Sequence, residues 1–399
     1  MFNFEPASKD LMRQMNRSLV LNTIRLEGPI SRAEIARGTG LSAATVSGFA
    51  AELIEDGFIF EQEEGNSSGG RRPVLLSLNS SGGYVVGIKL MEDHLIAALT
   101  NLEANVVDSK NVVFNDISPD EVIQAISKSV THLLSQNRIP LTKLFGIGVG
   151  LAGIIDQDTG ILRHSPIFGW QGLPLGRMIQ NELDVPVLID NDVNTVTLTE
   201  KWFGIARDID HFLTVTIGRG VGLGIVVNGR LYRGRGGAGE FGHVVVDPNG
   251  SMCSCGKRGC LETYVADPSL LNKAMADSSL KNDIRSIDDL RSLARAGNPA
   301  AKTIYAVAGE MLGRGIANLI NVFDPQMIIL TGEGVDARDL FVESMFEAIQ
   351  SHTMSGIGPK TTVHIDELED LAWARGAAGL VLSAVFESPI FKQDIDQIW

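Results

Sequence analysis

Along the first sixty residues the apolar positions recur at helical spacing and stop at turn residues. Leu11, Met12, Met15, Leu19, Val20, Ile24 and Leu26 line one face of a helix that Gly28-Pro29 ends. Ser31-Arg-Ala-Glu34 has the form of a capping box: the serine accepts from the Glu34 amide while the glutamate reaches back, so a second helix starts there. Thr39-Gly40-Leu41 turns the chain, and Ser42 caps a third helix whose Val46, Phe49, Ala50, Leu53 and Ile54 share one stripe before Gly57. Short helices joined by a tight glycine turn predict a helix-turn-helix, whose second helix enters the DNA major groove. Phe58-Ile-Phe60, a polar Gly/Ser tip and Val74 to Leu78 then predict a hairpin, the wing.

Beyond a short polar linker, Asn79 to Gly83, strands and helices alternate. Strands are expected at Tyr84 to Leu90, Leu95 to Leu102 and Leu144 to Val149, with a helix around Asp120 to Gln136. A glycine-turned hairpin recurs at Phe212 to Val227, followed by helices and a strand at Met327 to Leu330. A final helix, about Leu371 to Phe386, carries Gly376-Ala-Ala-Gly379, small residues suited to close packing. The recurrence predicts a duplicated α/β body with a cleft between its halves.

At 399 residues and 44% hydrophobic content the chain has enough apolar surface for two or three packed domains. The net charge of -14 argues against a protein that coats nucleic acid nonspecifically, yet five arginines face two acids between Leu11 and Ala50. A mildly basic head on an acidic body suits a sequence-specific binder whose body recognises something other than phosphate. Met-Phe-Asn-Phe-Glu-Pro has no basic start or apolar run, and no stretch nears the roughly 18 apolar residues of a membrane helix, so a cytoplasmic location is expected. Three cysteines cannot all pair, which fits a reducing compartment.

All three cysteines fall within eight residues, Cys253-Ser-Cys255-Gly-Lys-Arg-Gly-Cys260, with His243 upstream. That set predicts a Cys3His zinc site; four protein ligands with no open position make it structural rather than hydrolytic. Glu240 lies three residues before the histidine and Glu262 two after the last cysteine, so fixing the metal fixes both acids near one point. Two further segments carry candidate ligands. Gly146-Ile-Gly-Val-Gly-Leu-Ala-Gly153 ends a buried strand in glycines that allow close backbone approach, and Leu188-Ile-Asp-Asn191-Asp192 ends a strand in amide and carboxylate groups. By itself an Asn-Asp pair reads first as a turn or helix cap.

Glu240-x-x-His243 followed by Cys253-x-Cys255-Gly-x-x-Gly-Cys260-x-Glu262 resembles the signature of the ROK family of repressors, open reading frames and sugar kinases. Gly28-Pro-Ile-Ser-Arg-Ala-Glu-Ile-Ala, Gly40-Leu-Ser-x-x-Thr-Val-Ser47 and Gly69-Gly-Arg71-Arg72-Pro73 are similar in order and spacing to the winged head of its repressors. The resemblance covers nearly the whole chain. It implies an N-terminal winged helix-turn-helix and linker over 1–80, then a two-lobed, actin-like, ribonuclease-H-like body. Its lobes are 81–195, joined by the C-terminal helix from about 380 to 399, and 196–379 with the zinc site.

The resemblance also implies roles. A sugar is bound by Gly153, Asn191, Asp192, Glu240, His243 and Glu262, the histidine offering it the ring nitrogen that does not hold zinc. Asp192 matches the general base of the kinases. Ser42, Ala43, Thr45 and Ser47 lie along the recognition helix, where hydroxyls and methyls can meet bases and phosphates, while Arg71 and Arg72 suit a narrow minor groove. Gly48 stands where many relatives carry a basic residue.

The kinases open their body with Asp-x-Gly-Gly-Thr around the ATP phosphates; the matching place here reads Gly87-Ile-Lys89-Leu-Met91-Glu92-Asp93, with the aspartate and both glycines replaced. Negative charge stands where phosphates would lie. A second glycine turn, Gly218-Arg219-Gly-Val-Gly-Leu-Gly224, is retained and is equally a tight hairpin. The expectation is a sugar-responsive regulator, most readily a repressor and not an enzyme, that binds a palindromic operator as a homodimer or higher homo-oligomer. A sugar kinase with a regulatory head is the alternative, and a transport protein is a further candidate partner.

Overall fold

The computed structural model describes residues 9–63, 74–357, 360–367 and 369–386. The chain forms two compact units, Met1–Asp190 with the residues from Ala374 onward, and Asn191–Trp373.

The first unit begins with α1 (Lys9–Glu27), β1 (Ile30–Ser31), α2 (Arg32–Thr39), α3 (Ala43–Glu55), β2 (Ile59–Glu63) and β3 (Val74–Leu78). Ser31 closes the predicted capping box with Glu34, and Gly40 supplies the left-handed turn at φ +71° before Ser42 caps α3 by accepting from the Thr45 amide. Val20, Leu21 and Ile24 of α1, Ile35 of α2, and Val46, Phe49, Ala50 and Leu53 of α3 are buried together with Ile59 and Leu76. β1, β3 and β2 pair as a three-stranded antiparallel sheet, so the wing is in place.

After the head come β4 (Tyr84–Leu90), β5 (His94–Asn101), β6 (Val106–Val113), α4 (Pro119–Gln136), β7 (Leu144–Leu151), β8 (Ile154–Asp156), β9 (Ile161–His164), β10 (Gln171–Leu173), α5 (Leu175–Leu183) and β11 (Val187–Asn191). The main sheet runs β11-β7-β4-β5-β6, with β4 antiparallel to β5 and parallel to β7. One face, including Val86, Ile88, Ile147, Val149, Val187 and Ile189, packs with α4 and α5 residues such as Val130 and Ile179. The other face is glycine-rich where it meets α12 (Asp370–Phe386), the last helix among the described residues.

A β-carbon on Gly148 would lie 1.8 Å from the Ala377 carbonyl oxygen, and one on Gly87 2.0 Å from that of Ala374. The backbones touch without intervening side chains. Gly148→Ala is therefore expected to destabilise the protein by about 3 kcal/mol or fail to fold, against about 0.5 kcal/mol for an exposed change, read as a shift of the urea midpoint. α12 ends at the head: Asn22 of α1 donates to the Phe386 carbonyl at 2.6 Å, and the Arg25 guanidinium lies over the Phe386 ring. Phe58 and Phe145 add a ring contact between head and lobe.

The second unit holds α6 (Asp192–Phe203), β12 (Phe212–Ile217), β13 (Val221–Val227), β14 (Arg230–Leu231), α7 (Glu262–Val265), α8 (Asp267–Ala276), α9 (Ile287–Arg295), α10 (Pro299–Phe323), β15 (Met327–Thr331), α11 (Arg338–His352) and β16 (Thr362–Ile365). Its sheet, β14-β13-β12-β15-β16, repeats the plan of the first: a central strand antiparallel to the next strand in sequence and parallel to the one after the crossover. The predicted two-fold recurrence is thus present in the topology. Its core gathers Val215, Ile217, Leu312, Ile316, Leu330 and Met345.

Candidate functional site

Leu223 donates to the Gly239 carbonyl, and a single 3-10 turn, Phe241–His243, then directs the histidine. A β-carbon on Gly239 would meet the Leu223 carbonyl oxygen at 1.9 Å, and Gly239 sits at φ +96°, so only glycine fits. The cysteine loop is shaped by isolated antiparallel bridges, Val245 with Cys260 and Met252 with Arg258, and by a bond from the Cys253 amide to the Lys257 carbonyl at 2.8 Å. Gly259 holds φ +69° against the Asp247 carbonyl, which a β-carbon would approach to 1.5 Å.

This scaffold brings one donor atom each from His243, Cys253, Cys255 and Cys260 within 4.8 Å of one another. Cys253 Sγ lies 3.5 Å from His243 Nδ1, and Cys255 Sγ 3.6 Å from Cys260 Sγ. A tetrahedron with zinc–sulfur bonds of about 2.3 Å has edges of roughly 3.7 Å, so the donor set fits that ion. Cys253 and Cys260 are buried and Cys255 is exposed. Burial pushes the Cys260 thiol up to about 12, aided by the neighbouring thiols, whereas a hydrogen bond from the Lys257 backbone holds Cys255 below its ordinary value.

The two ring nitrogens of His243 face different chemistry. Nδ1 is on the sulfur side, and Nε2 lies 3.9 Å from Glu240 Oε2. Burial raises the Glu240 carboxyl, His243 opposes that shift, and the charges of Glu262 and Asp192 add to it. Three carboxylates therefore act on one locality beside the imidazole. Glu262, at the start of α7, turns its Oε2 toward the Val221 amide at 3.4 Å and lies against Gly220 and Gly242. Asn191 is the N-cap of α6, its Oδ1 accepting from the Val193 amide at 2.9 Å, and Asp192 Oδ1 accepts from the same amide at 3.0 Å. The pair serves as a helix cap, and the charge of Asp192 is felt at Glu240. Gly153, between β7 and β8, belongs to the first unit, where φ +151° and the His164 carbonyl leave no room for a β-carbon.

The glycine turn after β12 has a packing role that its spacing did not reveal. β-Carbons on Gly222 and Gly224 would strike Val193 and Thr197 of α6, so these glycines seat the helix on β13. Beside Gly218 stands the Glu333 carboxylate, 2.4 Å from where a β-carbon would be. Asp267 donates its amide to the Gly218 carbonyl at 2.7 Å, and its side chain is held by Arg291 at 3.1 Å. Burial raises Asp267, with Arg291 opposing and Glu333 reinforcing the shift. Sequence reasoning missed Glu333, because only the tertiary fold carries it to the turn. At the other predicted phosphate position Lys89 is buried on β4, and Met91 to Asp93 make the turn into β5, closed by the Met91 amide on the His94 carbonyl.

On α3, Ser42, Ala43 and Ser47 are exposed and Thr45 is half-buried, with Ser42 Oγ and Thr45 Oγ1 2.8 Å apart. Arg13, Arg17 and Arg32 form ion pairs with Glu52, Asp56 and Glu61, which tempers the basic character counted over residues 11 to 50. Arg71 and Arg72 lie outside the described residues.

A winged helix-turn-helix on a twice-repeated α/β body, with carboxylates and an imidazole gathered beside a Cys3His cluster, defines a DNA-binding protein built on a sugar-kinase fold. The chain belongs to the ROK family: residues 85–384 match that family's model, and residues 16–59 match a winged helix-turn-helix DNA-binding model. It is 33% identical over 377 residues to the xylose repressor of Bacillus subtilis, covering 94% of this chain and 97% of that protein. It is 29% identical over 390 residues to the DNA-binding transcriptional dual regulator NagC of Escherichia coli, covering 96% of each. Among solved structures, a ROK family transcriptional regulator described as a homolog of the E. coli MLC protein matches with TM-score 0.85 and 27% identity, over 97% of this chain and all of that one. A ROK family glucokinase from Streptomyces griseus, solved with glucose and AMPPNP, matches with TM-score 0.64 and 26% identity, over 75% of this chain and 99% of that one.

Proposed function

We propose that the chain is a sugar-responsive DNA-binding transcriptional repressor whose body binds a sugar and phosphorylates none. The observation that carries this reading is His243 Nε2 at 3.9 Å from Glu240 Oε2, with the charges of Glu262 and Asp192 acting on that carboxyl, in a chain that also holds a winged head. Carboxylates beside an imidazole suit the vicinal hydroxyls of a monosaccharide, each acid accepting from a hydroxyl and the imidazole N–H donating to one. In this reading Asn191 and Gly153 complete the sugar contacts, and Ser42, Ala43, Thr45, Ser47, Arg71 and Arg72 meet DNA. The head takes up 1–80, and the lobes are 81–195 with the helix from about 380, and 196–379. Relatives named for xylose and N-acetylglucosamine make these the first sugars to test.

His243, Cys253, Cys255 and Cys260 would hold zinc, which would cross-link the loop and keep the imidazole turned with Nε2 toward Glu240. The chain's own residues then orient the sugar. Asp192 matches a general base, but phosphoryl transfer rests on positioning a nucleotide, and the Glu333 carboxylate stands against Gly218 of the glycine turn. That supports a non-enzyme. Among the described residues no helix is long and apolar enough to cross a membrane, which is compatible with a cytoplasmic site of action. Two heads on two half-sites would give a small head useful affinity, hence a homodimer or larger assembly.

The test is to incubate the full chain with labelled ATP and xylose, glucose or N-acetylglucosamine, and in parallel with a duplex selected by the protein from a random pool. Release of the duplex by one sugar with no phosphorylated product is expected. Turnover at the rate of an ordinary sugar kinase, typically about 1–100 s⁻¹ for kinases, would overturn the reading.

A further inference from the structure

Two buried charged residues of the first unit have no role in the reading so far. Lys89, near the end of β4, is 7% exposed, and Asp190, near the end of β11, is 2% exposed. Charges this deep persist in proteins when they are paired.

Strand register places them on one face. Lys89 stands opposite Gly150 of β7. The Ile147 amide donates to the Pro186 carbonyl at 2.9 Å, and the α5 crossover makes β11 parallel to β7, so three residues further on Asp190 comes opposite Gly150 as well. Side-chain alternation agrees. Ile88, Ile147, Val149, Val187 and Ile189 point into the core under α4 and α5, so Lys89, Gly150 and Asp190 point to the opposite face, on which Gly87 and Gly148 meet α12. Between lysine and aspartate stands only a glycine. Their α-carbons are two strand spacings apart, roughly 9.5 Å, a span that a lysine and an aspartate side chain together are long enough to bridge over Gly150.

We infer that Lys89 and Asp190 form a buried ion pair across Gly150 that fixes the end of β11, and that Lys89 is thereby a positioning residue for Asn191 and Asp192. Those two residues follow Asp190 directly and cap α6 through the Val193 amide. A shift of Asp190 is passed to them through one and two peptide units. The inference deepens the sugar-site reading and rests on it for the second clause alone. The pair itself depends only on burial and register.

The experiment is a double-mutant cycle on the full chain with Lys89→Met, Asp190→Leu and the double variant, read by thermal melting and by titration with the sugar that releases DNA. Either single change strands one buried charge and is expected to lower the melting midpoint by several degrees, while the double variant, with no charge to strand, recovers most of that loss. Single losses that simply add in the double variant would overturn the pair. Lys89→Met is also expected to weaken sugar binding by about tenfold or more while sugar-free operator binding at a permissive temperature stays near the parent's; Lys89→Arg, which keeps the charge, should restore part of it. Sugar affinity unchanged in Lys89→Met would overturn the positioning role and leave a structural pair. If the parent binds none of the sugars, the sugar-site reading fails and the positioning role with it, and the melting cycle still decides the pair.

Discussion

Cys255→Ser is expected to abolish metal binding and lower the melting midpoint of the protein by roughly 10 °C or more, on a scale of about 2–4 °C per kcal/mol. The size is informative because Cys255 is exposed. An exposed cysteine changed to serine ordinarily alters stability by no more than about 0.5 kcal/mol, whereas a closed zinc site contributes its binding free energy to folding, about 10–16 kcal/mol in small zinc-finger peptides. Around this site few other forces order the loop: Ser251, Met252, Ser254, Gly256, Lys257 and Arg258 are exposed, and two isolated bridges hold it. Elemental analysis of parent protein purified without chelator should give one zinc per chain. Much less, or a Cys255→Ser variant as stable as the parent, would remove the metal from the account.

Glu240→Gln and Glu262→Gln should each reduce sugar affinity by roughly ten- to hundredfold, the value of a hydrogen bond to a charged acceptor at about 1.5–3 kcal/mol. Glutamine keeps the shape and loses the charge. The two variants should be non-additive, since the carboxylates act on each other and on Asp192, so removing one charge eases the rest. Titration calorimetry with each variant and the double variant checks this. Zinc content should stay at the parent's value in both, which separates loss of a sugar ligand from collapse of the metal loop. Unchanged affinity in either variant would place the sugar elsewhere.

What the sequence disclosed, and what it withheld, follows from the range of the forces involved. The capping box at Ser31 and Glu34 and the Ser42 cap are local hydrogen bonds, and local pattern predicts them. The cysteine spacing is likewise local, and the fold brings His243, Cys253, Cys255 and Cys260 into a cluster that could hold a metal ion. The excess of arginine over residues 11 to 50 is offset by Glu52, Asp56 and Glu61, acids just beyond that window that pair with three of those arginines. Asn191 and Asp192 were legible as either cap or ligand, and the structure shows the cap while the charge of Asp192 also reaches Glu240.

The rest depends on contacts between distant segments. Gly222 and Gly224 are glycines because α6 lies on them, and Glu333 matters because β12 and β15 are neighbours in register, so the turn after one meets the turn after the other. Neither fact has a sequence pattern. Lys89 was conspicuous in sequence only as a departure from a kinase motif; its partner emerges from strand register, which no local signal encodes.

Coupling between the proposed sugar site and the winged head is reciprocal: operator DNA must change sugar affinity by the same factor by which sugar changes operator affinity. The most direct measurement is sugar titration of the full chain with and without a saturating selected duplex, at fixed salt. The account predicts sugar affinity weaker with the duplex bound, by roughly 5- to 150-fold, the usual range of such couplings, and an equal factor in the reverse titration. Equal sugar affinity in the two conditions would contradict it.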